Sequence, residues 1–288
     1  MLLIDLSGVI THTCVNLHQE SREEVSIDVV RHVALSTVLY YKKKFSKVYG
    51  KPVICVDRKP YWREYIHEFY KKNRKQARDE SEIDWVAFSA NFKLVQQDID
   101  NYLPYPFIDI ASAEADDGIG VLTQYAAARK EKVMIVSSDK DMIQLQDKYQ
   151  GVKQYSPRMK KLLVSADKDY DLLTHIIKGD RSDGIPNIYS ANDILMFPGT
   201  GLRQKVVTKK MLAAVNESAS PLEFYKDEEL YKFKRNRMLI DLDYIPDRIR
   251  DRIIERYEAE LAKNRKNRVM ACVKKYRLRN LLSSVKDF

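Results

Sequence analysis

The chain of 288 residues carries 50 Lys+Arg against 41 Asp+Glu, a formal net charge of +9, with 44% hydrophobic and 32% charged residues. That length suits one large domain or two small ones and needs no disulfide framework to bury a core, and Cys14, Cys55 and Cys272 form no CxxC pair for a bridge or a cysteine-zinc site. No apolar run approaches the roughly 20 residues of a membrane span and the start, MLLIDLSGVITHTC, lacks a basic n-region, so a soluble, cytoplasmic protein with a polyanionic partner such as nucleic acid is expected.

In chain order, residues 2–6 form a first short apolar run, and Ile27, Val30, His32, Val33, Leu35, Val38 and Leu39 recur with the period of a long helix. A second strand is expected at 52–56. A helix over 85–103 follows, carried by Trp85, Phe88, Phe92, Val95, Ile99 and Leu103, then strands at 107–110 and 133–137. A short helix from Lys140 precedes two antiparallel strands, 152–155 and 161–164, joined by the turn SPRMK. Beyond about Pro186 the pattern is helical: 205–214, 222–225, 229–240, 247–262 after the helix-starting Pro246, and a last helix from Arg268. The fold class expected is α/β, a mostly parallel central sheet with helices on both faces, plus a smaller helical C-terminal region. The division expected is an α/β core over 1–185, carrying the segment 58–78, and a helical region over 186–288.

The carboxylates fall at the strand ends. Asp5 closes the first strand and Asp57 the second; Glu114, Asp116 and Asp117 open the helix after the third; Asp139 and Asp141 follow the fourth; Asp180 and Asp183 lie in KGDRSDG after an apolar helix. In a parallel sheet all strand C-termini share one edge, where ligands bind. A lone strand-end aspartate is ordinarily a cap or turn residue, but at least seven of these nine converging on one rim would repel by about 4 kcal/mol per close pair unless protons or cations are bound. Hard oxygen donors suit magnesium or manganese, and two such ions are the arrangement that hydrolyses phosphodiesters. Asp241 and Asp243, outside the alternating core, read as structural.

Residues 58–78, RKPYWREYIHEFYKKNRKQAR, interleave Arg58, Lys59, Arg63, Lys71, Lys72, Arg74, Lys75 and Arg78 with Tyr61, Trp62, Tyr65, Phe69 and Tyr70, against only Glu64 and Glu68. Phosphate neutralisation with aromatic faces is the composition that grips single strands; an amphipathic helix with a solvated charged face fits the same residues. A second basic run, 263–279, holds eight Lys/Arg and no acid. PGTGLRQK, 198–205, could form a phosphate-binding nest with Lys205 as its nucleic-acid contact. The histidines show no metal-ligand spacing, and Cys55 reads as a buried strand residue.

Taken together, LLIDLSG, VICVDRKPYWR, YKKNR, AEADDGIGVL, VSSDKDMIQL and KGDRSDGIPN resemble the structure-specific 5′ nuclease family, which includes flap endonucleases, and within it the bacteriophage ribonuclease H branch. The resemblance covers nearly the whole chain. It implies that Asp5, Asp57, Glu114, Asp116, Asp117 and Asp139 surround a first Mg2+ and that Asp141, Asp180 and Asp183 surround a second, with Mn2+ as a substitute. It implies an arch over 58–78 in which Lys71 and Arg74 engage the scissile phosphate, Tyr70 stacks on a terminal base, and Arg58, Arg63, Lys72 and Arg78 contact the strand. Asp139 and Asp141, with Lys71 and Arg74, are its catalytic residues. Two departures stand out: SDGIPN where the family commonly has SDNIPG, with Gly184 in place of Asn, and PGTGLRQK where a GxGxK hairpin binds duplex. No N-terminal extension for tethering to a sliding clamp is expected.

The function implied is a magnesium-dependent 5′ to 3′ exonuclease and flap endonuclease acting on nicked or branched DNA and RNA·DNA duplexes, removing RNA primers in replication. The replication context suggests a single-strand DNA-binding protein as a partner, and a monomer is expected. The alternatives are a PIN-type single-strand ribonuclease, against which the arch and the helical end speak, and a non-catalytic DNA-binding replication factor, against which the full set of acids speaks.

Overall fold

The computed structural model describes residues 1–21, 25–164, 171–196, 201–218, 220–263 and 265–288. In chain order, β1 (Leu2–Asp5) runs into α1 (Leu6–Ser21), followed by α2 (Ile27–Tyr49), β2 (Pro52–Cys55), α3 (Trp62–Ile66), α4 (Arg74–Asp79), α5 (Trp85–Tyr102), β3 (Phe107–Ile108), α6 (Ala115–Ala128), β4 (Val133–Val136), α7 (Ile143–Lys148), β5 (Val152–Ser156) and β6 (Lys161–Leu163). The later helices are α8 (Leu172–Lys178), α9 (Lys209–Asn216), α10 (Pro221–Phe224), α11 (Asp227–Ile240), α12 (Asp247–Ala262) and α13 (Val269–Lys275). They fall into two compact units: Met1–Lys59, Glu82–Ser165 and Pro246–Phe288 form the first, Pro60–Ser81 and Ala166–Ile245 the second.

The first unit is built on one sheet of order β3-β2-β1-β4-β5-β6, parallel except where β6 turns back against β5. Every residue of β1, β2 and β4 is buried, as a parallel sheet covered on both faces requires. Alternation sends Leu2 and Ile4 with Met134 and Val136 toward Val9 and Tyr41 on one face. On the other face α6 packs across β1, β2 and β4, and α12 packs on α6; a Cβ on Gly118 would lie 3.1 Å from Cys55 Sγ, which sets how close α6 comes.

Residues 246–288 belong to this unit. The stripe Ile249, Ile253 and Tyr257 buries one side of α12, while Val269, Cys272, Val273, Leu281, Val285 and Phe288 join a core with Leu35, Ile54, Val95 and Ile99. Part of the basic run of 263–279 is neutralised here: Arg265 pairs with Asp100 and Glu260, both at 2.5 Å, and Lys263 with Glu260 at 2.6 Å. The second unit has its own apolar core, in which Tyr61 and Tyr70 meet Ile176, Ile177, Ile185, Ile188, Phe233, Leu239 and Ile240. All three cysteines are buried and unbridged, and no described helix is long and apolar enough to cross a membrane.

Element boundaries depart from the sequence pattern where caps intervene. The helix expected from residue 205 starts at Lys209 because Thr208 accepts from the Met211 N–H, and the third strand stops at Ile108 rather than residue 110. The first strand yields to α1 at Leu6, a helix the residue pattern does not announce. Thr11, Thr13 and Asn16 are weak helix formers, and burial of Leu6, Ile10 and Cys14 stabilises it instead. If residues 246–288 help to build the first unit, Ile253→Ala, at a side chain with no exposure, costs about 2–5 kcal/mol in a denaturant titration followed at the α/β unit.

Candidate functional site

In the first unit the parallel register brings the ends of β1, β2 and β4 side by side, with Asp5 level with Cys55 and Ile4 with Val136. The strand order reverses beside β1, and the crevice expected at such a switch point is a cavity of about 150 Å³ lined by Asp5, Gly8, His12, Ser137, Ser138 and Asp139. Asp5 is 7% exposed. Its Oδ1 accepts from the Gly8 N–H at 2.8 Å and its Oδ2 from the Ser137 hydroxyl at 2.9 Å. A Cβ on Gly8 would lie 2.4 Å from Asp5 Oδ2, so only glycine leaves room for this carboxylate.

Asp57, Asp117 and Asp139 are held by backbone or hydroxyl partners. The Asp57 N–H donates to Ser7 Oγ at 2.9 Å, and Asp57 Oδ1 accepts from the Ala115 N–H at 2.8 Å, tying the end of β2 to the start of α6. Glu114, buried, precedes that helix and donates its N–H to Asp117 Oδ2 at 2.9 Å; Asp116, on the first turn, is half-buried and Asp117 fully buried. Ser137 Oγ also accepts from the Asp139 N–H at 3.1 Å, and Asp139 Oδ1 from the Asp141 N–H at 2.9 Å. Beneath them Gln154 of β5, with no exposure, donates to the carbonyls of Ser137 at 2.9 Å and Asp139 at 2.6 Å.

The electrostatics report how close these groups are. Burial and then the Asp57 carboxylate, with a smaller contribution from Asp139, push Asp5 up to about 7, against the hydrogen bonds from Gly8 and Ser137. Burial, Asp5 and Asp116 likewise push the Cys55 thiol far above its ordinary range, so it is no nucleophile. Carboxylate oxygens suit a hard divalent cation, and of the acids of this unit Asp5 and Asp139 line the cavity.

The second unit holds the basic segment and the last acids. Asp180 Oδ1 accepts from the Ser182 N–H and hydroxyl, both at 2.7 Å, and its Oδ2 meets His175 at 3.3 Å. Burial raises the Asp180 carboxyl, but the His175 and Ser182 hydrogen bonds outweigh it and hold the group well below the usual carboxylate range. Asp183 accepts from the Tyr70 hydroxyl at 3.1 Å and pairs with Lys71 at 3.4 Å and with Arg74. Backbone contacts reinforce this: the Lys71 N–H donates to Asp183 O at 2.7 Å, Arg74 Nε to Ser182 O at 3.1 Å, and His67 meets Gly184 O at 3.1 Å. Gly184 has φ 71, and a Cβ there would lie 2.7 Å from Phe69 O. Close approach of the basic segment thus accounts for glycine at this position.

The remaining nucleic-acid candidates differ in placement. Arg63 is 3% exposed, with Nε on Leu239 O at 2.9 Å and its guanidinium over Trp62. Lys72 and Arg78 are exposed, and Arg58 is exposed beside Asp109 at 3.2 Å in the first unit. Lys205 is exposed while its backbone N–H is held by Ser190 Oγ at 2.8 Å; residues 198–200 of the expected nest lie outside the described residues. Asp241 caps a short turn through the Asp243 N–H at 3.1 Å. The sequence pattern did not single out Ser7, Gly8, Ser137 and Gln154, though the first three flank Asp5 and Asp139 within DLSG and SSD.

The family model for the 5′-3′ exonuclease N-terminal resolvase-like domain matches residues 1–171, and that for the T4 RNase H C-terminal region matches 165–288. The ribonuclease H of Enterobacteria phage T4 is 32% identical over 292 residues, covering 99% of this chain and 95% of that one. The flap endonuclease Xni of Shewanella sediminis is 26% identical over 191 residues, 64% of this chain and 67% of its own. Among solved structures, the D15 protein of T5 co-crystallised with metal ions superposes with a TM-score of 0.62 at 17% identity, over 92% of this chain and 99% of that one. The bacteriophage T5 D15 flap endonuclease in a pseudo-enzyme-product complex with DNA and metal ions gives 0.63 at 16%, with the same coverage.

Two pH dependences of opposite sign follow. Asp5 holds its proton to about pH 7 in the folded chain and to about 4 in the unfolded one, so it opposes folding increasingly across that window. Asp5→Asn therefore raises metal-free stability at pH 8 by about 2–4 kcal/mol and leaves it unchanged at pH 3.5, read by denaturant titration. Burial and then Arg235 lower His67 to about 4, so the stability it supplies above pH 6.5 is lost as pH falls toward 4. His67→Gln flattens that acid limb by about 2–3 kcal/mol.

Proposed function

Because the chain belongs to the 5′-3′ exonuclease family and shares the C-terminal region of its T4 ribonuclease H branch, we propose that it hydrolyses phosphodiesters at the 5′ ends and 5′ flaps of DNA and RNA·DNA duplexes. It is a nuclease. Its place is the removal of RNA primers during replication. The observation that carries the reading is Asp5, buried at the end of β1 and lining a cavity with Asp139, where burial and then the Asp57 carboxylate raise its pKa. A stable domain has only about 5–15 kcal/mol of net stability, and crowding of this kind is retained where charge must be collected for a function.

Asp5, Asp57, Glu114, Asp116, Asp117, Asp139 and Asp141 are the proposed holders of magnesium, with manganese as a substitute, and Asp180 and Asp183 keep the ligand role expected of them. Bound divalent ions supply Lewis acidity and a water of lowered pKa. The chain's own residues do the rest. Ser137 fixes the direction of Asp5 and the start of the Asp139 turn with one hydroxyl, and Gln154 holds both carbonyls of that turn from below. Lys71, as a point charge, and Arg74, as a planar fork, bind the phosphate and orient it. Asp183 and Tyr70 keep those two cations together. The Tyr70 ring, expected to stack on a terminal base, is instead buried in the core of the second unit, while Lys72, Arg78, Arg58 and Lys205 present charge to the backbone.

The bacteriophage T5 enzyme solved with DNA and metal ions supports both the substrate and the ions. The test is a 5′-labelled RNA-primed duplex beside a 5′ flap, with magnesium. Asp139→Asn or Asp141→Asn is expected to abolish cleavage while DNA binding is kept, and Lys71→Ala to slow turnover by about 100-fold. Chelation of divalent ions abolishes cutting. An Asp139→Asn protein that cut at the parent rate would end the metal assignment, and cleavage of unstructured RNA in preference to the flap would favour the single-strand ribonuclease.

A further inference from the structure

In the second unit the loop after α8, which carries Asp180 and Asp183, closes on itself. The Ile188 N–H donates to Ile177 O at 3.1 Å and the Ile185 N–H to Asp180 O at 2.8 Å. Gly179, with φ 68, lets the two ends touch: a Cβ there would lie 2.3 Å from Ile185 O and 2.6 Å from Pro186 O. Against these ends stands Asn236 of α11, with no exposure. Its Nδ2 donates to Ile176 O and to Pro186 O, both at 2.9 Å, one carbonyl from each end of the loop. Its Oδ1 accepts from Arg235 Nε at 3.1 Å and Nη2 at 2.9 Å.

Four hydrogen bonds use the whole capacity of an asparagine amide. The same helix also buries Phe233, Leu239 and Ile240, so an apolar residue at 236 would serve packing alone, and a satisfied polar network marks a place where one geometry is specified. The network continues outward: Arg235 reaches Asn192 Oδ1 at 2.5 Å, and Lys232 reaches Ser190 O at 2.7 Å. The far side of the loop is held by His67 on Gly184 O and Asn73 on Arg181 O. Gly184, where the related motif has Asn, contributes no side chain. The amide that ties this loop comes from α11 instead.

We propose that Asn236 is a positioning residue for the nuclease reaction: by joining the Ile176 and Pro186 carbonyls it fixes the loop that presents Asp180 and Asp183. This rests on the reading of those two acids as site residues. It predicts that the isosteric Asn236→Asp, which removes both amide donors, lowers kcat on a 5′ flap by about 10- to 100-fold with KM little changed. In the metal-free protein, amide hydrogen exchange at Ile185 and Ile188 accelerates while α11 stays protected. Ile240→Val, a cut in the same helix's apolar face, lowers Tm without either effect, and Asn236→Ala, if it folds, behaves as Asn236→Asp does. The inference is overturned if Asn236→Asp cuts at the parent rate, or if Ile240→Val reproduces its kcat loss and loop exchange at equal loss of Tm. Asp183→Asn is run alongside. Should it cut at the parent rate, the reading beneath the inference fails; should it be inactive while Asn236→Asp is intact, the inference alone fails.

Discussion

Repulsion among carboxylates at the ends of adjacent parallel strands is the constraint around which the α/β unit is arranged. Asp5 has water on almost no side and two acids for neighbours, and what holds it is local and specific. A glycine one turn along α1 leaves the space, that glycine's N–H and a serine hydroxyl occupy its oxygens, and the strand order puts it at the switch point of the sheet. The neighbouring acids are committed in the same way, to the start of α6 and to the turn after β4. Rigid elements set the spacing, so the cost of crowding is met by the sheet as a whole, and the acids do not relax apart.

The basic segment is organised by the opposite attraction. Lys71, in the left-handed region at φ 56, and Arg74 both turn to Asp183, while the Lys71 N–H and the side chains of His67, Asn73 and Arg74 meet the carbonyls of 181–184. Such a segment is neither a free helix nor a loop. Its aromatic residues divide accordingly: Tyr61 and Tyr70 enter the core of the second unit, and Tyr65 is left 77% exposed.

Much of this was legible in the residues. Strands of four or five Val, Ile and Leu bounded by polar punctuation pointed to β1, β2 and β4 within a residue, and with them to Asp5, Asp57 and Asp139 at or just beyond their ends, because both signals are local. The pairing of β5 with β6 was legible from its proline turn. Less so were α1, whose sequence favours helix weakly, and the supports of the site. Ser7, Ser137, Gln154 and Asn236 are ordinary residues in sequence, and only the register that brings β5 beneath the turn after β4, or α11 against the ends of a loop, makes them specific. Arg63 looked like its basic neighbours, yet it is buried against a carbonyl 176 positions away, a contact no local pattern encodes.

The first unit is interrupted in sequence by the second, and its segment 246–288 is made after the second unit. During synthesis the chain emerges at about 5–20 residues per second. The sheet and most of its acids leave the ribosome well before α12 and α13, whose Ile253, Val269 and Cys272 have no exposure in the finished fold. Until those helices arrive, α6 and the core under α5 lack part of their cover. A nascent chain therefore carries its charged rim on a scaffold that stays unfinished until residues 246–288 have followed.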